Sequence, residues 1–444
     1  MSARPAHQAH ALLAQPPLRA IITLAAPTTA VMLIAALSNV LHTYFVSRLG
    51  DDAIAAVSLV FPISMILITV VSGGLGAGVS TGIARALGAG RSGDASALAE
   101  HAIVITVTLA LTGSVATELG ARIVFQLMGG SGAVLEQAML FARVLFSGLI
   151  ISFTVGTFDS ILRGAGNVRI PAICSSLSLC LQVLLTPLFM YGIGLGLAGA
   201  PLGTLTGQAI GLVPRSLYIF GARSPIRPRL LPRALRRRHF VEILRVGVPA
   251  ALSAALSYIS LLILTGTIAR FGTADLAAYG LGSRLDFLLF SLGFGVAAAG
   301  LTLVGMAAGA ARHDLITRYV VQTALAAAAV VAIPAIAVTW RPELWIHLFT
   351  QAPEITAIGA RYLRQIGPTY FFVVMSMVLA SSFQALARAT VPLTVMVARV
   401  ALVVGGALLA VHIFNCGPDA VFAIIAAGNV AGFVALAALF RAMR

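Results

Sequence analysis

Long apolar stretches separated by short polar loops run through almost the whole chain. Each is about 20 residues or longer, the length that an α-helix needs to cross the hydrocarbon core of a bilayer. The pattern predicts twelve spanning helices, at 20–47, 54–84, 97–119, 135–160, 170–192, 198–221, 246–269, 276–307, 319–340, 362–386, 391–414 and 420–440. We therefore expect an all-α integral membrane protein.

The two halves of the chain resemble each other. Matching residues and motifs are offset by 221 or 222 positions: Pro27 and Pro249, RLG at 48–50 and RFG at 270–272, GAGR at 88–91 and GAAR at 309–312, Pro171 and Pro392. Because six spans per half is an even number, both halves enter the membrane in the same direction. The sequence predicts two pseudo-symmetric six-helix bundles arranged as parallel repeats, with Pro27 and Pro249 bending the first helix of each.

Composition and charge placement agree with this organisation. The chain is 59% hydrophobic and 10% charged, with a net charge of +15, and all 29 basic residues are arginine. Nineteen arginines lie in loops on the side of the N-terminus and six on the other side. By the positive-inside rule, this bias predicts a multi-pass protein of the plasma membrane, in a bacterium the inner membrane, with both termini in the cytoplasm.

Four segments follow from the pattern. They are a cytoplasmic tail at 1–18, an N-lobe at 19–221 with six helices, a basic linker at 222–241 and a C-lobe at 242–444. We interpret the linker as a topological anchor that contacts anionic head groups. A nucleic-acid site is the alternative, but Phe240 is the one aromatic residue in the linker and no supporting domain accompanies it.

The sequence does not indicate an enzyme. GLGLAG at 194–199 matches a dinucleotide-binding pattern but follows no strand, and GGLGAG at 73–78 lacks the lysine of a phosphate loop, so small residues here predict close helix packing. Cys174, Cys180 and Cys416 lack metal-ligand spacing.

Two similar bundles with a site between them are typical of alternating-access transporters. A membrane scaffold or receptor without transport is the alternative from another class.

Two motifs carry a family resemblance. They are ILRGAGNVRIP at 161–171 and PLFMYGIGLGLAGAPLGT at 187–204, together with the paired six-helix units and a proline in the first helix of each. The chain resembles transporters of the multidrug and toxic compound extrusion (MATE) family, in its DNA-damage-inducible F-like branch. The resemblance implies a monomeric antiporter without a cofactor that exports small amphipathic molecules by rocking two lobes, driven by a proton or sodium gradient. A flippase for lipid-linked saccharides, from relatives with a similar fold, is the alternative.

The resemblance also implies where the coupling residues lie. Many members carry an aspartate in the first helix before Thr and an aromatic pair, where this chain has His42 in HTYF at 42–45. In the fifth helix, Asn and Asp precede a proline in many members, where this chain has Gln182 and Thr186. Thr204 retains a threonine often found in the sixth helix. The expected pocket therefore keeps its positions but loses both carboxylates.

His42 has two interpretations. An imidazole with an ordinary pKa of about 6.5 changes charge across physiological pH and can carry a proton. The alternative is a neutral ring that hydrogen-bonds between helices, for example to Gln182. Histidine, glutamine and threonine are poor ligands for a hard sodium ion, so protons are favoured over sodium as the coupling ion.

Asp286 is the best carboxylate candidate for a proton site within the membrane. It lies about ten residues below the outer end of the eighth helix, and its repeat counterpart is Ser64. The spacing of Asp159 and Arg163 predicts a structural ion pair, whereas Arg284 and Asp286, two residues apart, face different sides of a helix. The secondary candidates are Asn39, Asp159, Arg163 and Arg284.

Further arginines bear on the substrate. Arg215 and Arg399 are close enough to cytoplasmic helix ends to reach the interface, and Arg143 has no obvious partner in the sequence. If several of these cations line the cavity, an anionic or neutral substrate is expected, because a positive cavity repels cations. The expected partners are a small-molecule substrate and the lipid bilayer, with no nucleic acid and no bound metal.

Overall fold

Twelve long helices account for most of the residues that the structure describes, and each overlaps one predicted span. The computed structural model describes residues 12–221, 224, 226–229 and 235–443. The helices of the first half are α1 (Pro17–Ser47), α2 (Asp52–Gly88), α3 (Ser92–Leu127), α4 (Gly132–Ser147 continued by Leu149–Gly164), α5 (Arg169–Gly192) and α6 (Gly199–Ile219). Those of the second half are α7 (Arg237–Ile268), α8 (Thr273–Gly309), α9 (His313–Trp340), α10 (Pro353–Ala385), α11 (Thr390–His412) and α12 (Pro418–Ala442). Residues 1–11 of the predicted tail lie outside the described residues.

Length and composition make most of these helices able to cross a membrane. Ten meet both criteria, and α4, whose two parts meet at 47°, makes eleven when it is counted as one bent span. The remaining helix, α6, has 21 residues but is less apolar, because it carries Gln208, Arg215 and a glycine at every fourth position. The predicted all-α membrane fold is confirmed.

Several of the helices contain turns that are not α-helical. Seven residues of α2, Thr69–Leu75, form a π-helical turn, as do Leu188–Gly192 at the end of α5 and Ala401–Gly405 within α11. In α10, Gly367–Thr369 form a 3-10 turn. Such turns inside long helices often mark functional positions, and the turn of α10 lies beside the carboxylate discussed below.

Contacts divide the chain into two units, and two of the boundaries between them lie inside long helices. The first unit contains Ala30–Ala251, and the second contains Gln15–Thr29 and the chain from Leu252 onward. The boundary in α1 therefore falls after Thr29, two residues past Pro27, and the boundary in α7 falls after Ala251, two residues past Pro249. The lobes predicted from sequence, at 19–221 and 242–444, instead place the predicted span 20–47 entirely in the N-lobe and the predicted span 246–269 entirely in the C-lobe.

Small residues bring helices of the first unit into close contact. A Cβ added at Gly74 of α2 would lie 2.3 Å from the Cβ of Ala251, and one added at Gly78 would lie 2.3 Å from the carbonyl oxygen of Ile243. No side chain fits at either position. The prediction that the GGLGAG segment serves helix packing is confirmed.

Helix α6 packs on α5 through a ladder of glycines. Gly199, Gly203, Gly207 and Gly211 recur every fourth residue and therefore share one face of the helix. A Cβ at Gly203 would lie 2.7 Å from Thr186 Oγ1, and one at Gly207 would lie 2.7 Å from the carbonyl oxygen of Ser178. This ladder lets the backbones approach and holds Thr186 against α6.

We expect Gly207→Ala to destabilise the first unit by about 1 to 3 kcal/mol, because α5 and α6 must separate to admit the methyl group. The measurement is the thermal unfolding temperature of the purified protein in detergent. Gly120→Ala in α3 is the matched control, since a Cβ there meets nothing within 4 Å and alanine favours a helix. Equal unfolding temperatures for the two variants would contradict the packing described for α6.

The basic linker is docked on α3 in the part that the structure describes. Backbone N–H groups of the linker donate to side chains of α3: Arg227 to Ser96 Oγ (3.1 Å), Arg229 to Glu100 Oε1 (2.9 Å) and Arg236 to His101 Nε2 (2.9 Å). Ile226 is 1% exposed and belongs to the apolar core of the first unit. Helix α7 begins at Arg237, so residues 237–241 of the predicted linker are helical, which corrects its boundary.

Candidate functional site

The second unit holds a carboxylate between two tyrosines. Asp286 lies thirteen residues after the first residue of α8, about 20 Å along the helix axis. The Tyr362 hydroxyl donates to its Oδ2 at 2.8 Å, and the Tyr370 hydroxyl donates to its Oδ1 at 2.6 Å. None of the ion pairs of the described residues includes Asp286. The carboxylate is therefore held by two neutral donors instead of a cation.

A glycine of α8 makes room for one of these tyrosines. A Cβ at Gly282, one turn before Asp286, would lie 2.2 Å from Cε1 of the Tyr362 ring. The ring also packs edge-on against Tyr279 at 5.7 Å and Phe422 at 5.1 Å between centroids. Because the ring is enclosed on these sides, its hydroxyl has a fixed direction towards Asp286.

A second chain of hydrogen bonds reaches α10 next to Tyr370. Arg399 Nη2 donates to Asn429 Oδ1 at 2.6 Å, and Asn429 Nδ2 donates to Thr369 Oγ1 at 2.9 Å. The Thr369 hydroxyl donates to the carbonyl oxygen of Ile366 at 2.7 Å. Arg399, which is partly exposed, thus donates to a buried asparagine of α12.

The first unit contains a buried ion pair. Arg215 is fully buried, and its Nε donates to Asp159 Oδ1 at 2.7 Å while its Nη2 donates to Ser175 Oγ at 2.6 Å. The expectation that Arg215 reaches the interface is therefore wrong. Arg163, which the sequence spacing suggested as the partner of Asp159, donates to Ser160 Oγ at 3.2 Å. A pair between α4 and α6, 56 residues apart, has no signal in local spacing.

Arg143 also has a partner that the sequence did not indicate. Its Nε lies 3.1 Å from Glu118 Oε1, and both side chains are more than half exposed. The pair lines a groove of about 240 Å³ between α3 and α4. Arg143 and Arg215 are both paired with carboxylates, so neither adds an unbalanced positive charge.

The residues expected to form the coupling pocket lie on α1, α5 and α6. His42 and Gln182 are partly exposed, and no hydrogen bond between described residues joins them. Thr186 is 1% exposed, and its Oγ1 has no hydrogen-bond partner among the described residues. Thr204 Oγ1 donates to the carbonyl oxygen of Ala200 at 3.3 Å. The hydrogen bond from His42 to Gln182 considered above is therefore absent from the described part of the chain.

Two secondary candidates are more exposed. Asn39 lies on the exposed side of α1, where its carbonyl oxygen accepts from Thr43 Oγ1 at 3.0 Å. The Arg284 guanidinium lies over the Phe349 ring, 5.5 Å from its centroid. Arg284 and Asp286 thus have different neighbours, as their spacing on the helix predicts.

Comparison with protein families identifies the repeat. The MatE family profile matches twice, at residues 27–188 and 249–409. The two starting residues differ by 222 (249 minus 27) and the two last residues by 221 (409 minus 188), which are the offsets found by comparing the halves of the sequence. Together the two matches cover well over half of the chain.

Curated relatives match part of the chain. An FAD transporter of Shewanella oneidensis is 27% identical over 291 residues, 63% of this chain and 63% of that protein. A probable multidrug resistance protein, NorM, of Thermotoga maritima is 24% identical over 359 residues, 80% of this chain and 76% of that protein. The chain spans 60% of a multidrug export protein, MepA, of Staphylococcus aureus, at 27% identity. Two of the three are named for transport or export and the third for multidrug resistance, which supports the expectation that this chain is not an enzyme.

Solved structures match almost the whole chain. A MOP superfamily transporter from Pyrococcus furiosus, described by the reverse polarity of its binding pocket, superimposes with a TM-score of 0.92 at 26% identity over 97% of both chains. A MATE in the bent conformation also gives a TM-score of 0.92 at 26% identity, over 99% of this chain and 97% of that one. The chain therefore belongs to the multidrug and toxic compound extrusion (MATE) family.

Proposed function

We propose that this protein is a proton-coupled antiporter of the bacterial inner membrane that exports small amphipathic organic molecules by alternating access. It works as a monomer without a cofactor, has both termini in the cytoplasm and belongs to the DNA-damage-inducible F-like branch of its family. The observation that carries the proposal is Asp286, an acidic residue at membrane depth held by Tyr362 and Tyr370. Ionisable residues within spanning helices are costly and are usually functional.

The surroundings of Asp286 favour a proton over a sodium ion. A hard cation prefers several oxygen ligands with free lone pairs directed at it. Both tyrosine hydroxyls instead direct their hydrogens at the carboxylate, so they compete with a cation. A proton bonds to one carboxylate oxygen and does not need a shell of several oxygen ligands.

Exchange at Asp286 explains antiport. The ionised carboxylate attracts a cationic or hydrogen-bonding substrate, and a proton that neutralises it releases that substrate. Arg143 and Arg215 are neutralised by Glu118 and Asp159, which weakens the reason for expecting an anionic substrate. We therefore propose neutral or cationic amphipathic substrates. The FAD transporter among the relatives makes FAD the appropriate anionic comparison.

The first unit holds four further candidate residues, which are considered separately from Asp286. Thr186 on α5 has a hydroxyl without a hydrogen-bond partner among the described residues. The other three are His42 on α1, Gln182 on α5 and Thr204 on α6. We assign these four residues to substrate binding. The boundaries between the contact units fall within one turn of Pro27 and Pro249, which supports bending of α1 and α7 at these prolines.

Flux in proteoliposomes tests the proposal. The purified protein is reconstituted, and a proton gradient and a sodium gradient are imposed separately with ethidium, FAD or an isoprenoid-linked saccharide as probe. We expect ethidium movement driven by the proton gradient alone. Movement of the saccharide without a gradient would favour a flippase, and no gradient-dependent flux of any probe would favour a scaffold or receptor.

A further inference from the structure

The carboxylate site depends on one irregular turn of α10. Tyr370 begins the second α-helical part of this helix, directly after the 3-10 turn Gly367–Thr369. Pro368 within the turn has no N–H group to continue the helical hydrogen bonds. A Cβ at Gly367 would lie 2.1 Å from Thr339 Oγ1, so the turn packs directly on α9. The position of the Tyr370 hydroxyl is therefore set by how this turn is held.

In the series of hydrogen bonds from Arg399 to this turn, the donor and the acceptor of each bond are fixed. A guanidinium has no acceptor, so the atom of Asn429 that faces Arg399 is Oδ1 and its Nδ2 faces Thr369. The Thr369 hydroxyl donates its single hydrogen to Ile366, which leaves its oxygen to accept from Asn429. Each group has one assigned role, so none can be replaced by an apolar group without leaving another unsatisfied.

Burial makes these hydrogen bonds consequential. Asn429 is 6% exposed and Thr369 is 5% exposed. Water cannot replace a lost partner at such positions, and a buried polar group without a partner is costly. These hydrogen bonds thus link α11 through α12 to Thr369 of α10, the residue that precedes Tyr370.

We propose that Asn429 is a positioning residue for the proton site: anchored by Arg399, it holds Thr369 and so keeps the Tyr370 hydroxyl at Asp286. The inference rests on the proposed function in that Asp286 carries the coupled proton. An ionised carboxylate accepts hydrogen bonds from both tyrosines, but a protonated one has its own O–H, which needs an acceptor. With the turn fixed, Tyr370 changes from donor to acceptor by rotating its hydroxyl, and the backbone stays in place.

Proton-driven ethidium flux in proteoliposomes tests the role of the hydrogen bonds that link Arg399, Asn429 and Thr369. We expect Asn429→Leu and Thr369→Val to lower the maximal rate about tenfold, the effect of one buried hydrogen bond, with an altered pH profile and an unchanged KM. Thr369→Ser keeps the hydroxyl and should transport as the wild type does. Ser376→Ala is the matched control, because this hydroxyl of α10 donates to its own helix, to the Phe372 carbonyl.

Hydrogen–deuterium exchange of the peptide containing Gly367–Tyr370 gives a readout that needs no transport. Faster exchange is expected in Asn429→Leu and Thr369→Val but not in Ser376→Ala. Wild-type rates, pH profile and exchange in Asn429→Leu would overturn the inference, as would a lower rate with an unchanged pH profile. If the wild type shows no proton-driven flux, the proposed function fails, while the exchange still decides whether Asn429 holds the turn.

Discussion

Asp286→Asn is expected to reduce proton-driven export to the level of liposomes without protein. Asparagine keeps the size of the side chain and can accept from one tyrosine, but it cannot bind a proton, so the carboxylate's exchange of proton and substrate is lost. The measurement is ethidium flux under an imposed proton gradient. Asp286→Glu retains an ionisable group and should keep part of the activity.

His42→Ala provides the matched comparison for this prediction. His42 is the other membrane-depth candidate for proton binding, and the structure shows no hydrogen bond between it and Gln182 in the described part of the chain. If Asp286 carries the coupled proton, His42→Ala alters the KM for ethidium but retains its dependence on the proton gradient. Loss of gradient dependence in His42→Ala together with its retention in Asp286→Asn would assign the proton to the imidazole.

Asp159→Leu is expected to destabilise the first unit by about 3 to 5 kcal/mol, because it leaves the fully buried Arg215 guanidinium without its counter-charge. Thermal unfolding of the purified protein in detergent measures this loss. The double variant Asp159→Leu with Arg215→Met removes both charges and should recover most of the stability, since well-packed apolar residues often replace a buried pair without loss.

Glu118→Gln is the matched control for the buried pair. It breaks the ion pair with Arg143, in which both side chains are more than half exposed, and pairs of this kind contribute about 1 kcal/mol or less. A loss of stability in Glu118→Gln equal to that in Asp159→Leu, or no recovery in the double variant, would contradict the explanation that the loss in Asp159→Leu comes from an uncompensated buried charge.

Hydropathy and repetition were sufficient to predict the architecture. An apolar run of membrane length has few alternatives to a helix, and the offsets of 221 and 222 residues are preserved in the two family matches. The small residues of GGLGAG likewise indicated close packing, because little else explains clustered glycines in a spanning helix. These signals are local or periodic, so a single sequence contains them.

Contacts between distant helices could not be predicted in the same way. Asp286 was identified as a carboxylate within a spanning helix, but Tyr362 and Tyr370, 76 and 84 residues later, are ordinary residues of an apolar helix. Asn429 did carry a usable signal, because a lone amide in the apolar α12 needs a partner. The Gly-Pro pair at 367–368 similarly indicates an irregular turn. The partners of both are visible only in the fold.

Docking of the linker was missed for a related reason. Arginines dominate residues 222–241, and their charge suggested contact with lipid head groups. The groups that hold this segment are backbone N–H donors, which every residue except proline has, and acceptors on α3 such as His101 and Glu100. Side-chain composition therefore gave no indication of where the segment lies.

Competition between proton and substrate at Asp286 is tested most directly by the number of protons released when substrate binds. Isothermal titration of the purified protein with ethidium, repeated in buffers of different ionisation enthalpy, gives this number. Under conditions in which Asp286 is protonated before binding, we expect close to one proton released by the wild type and close to none by Asp286→Asn. Equal proton release by the two proteins would contradict coupling at this carboxylate.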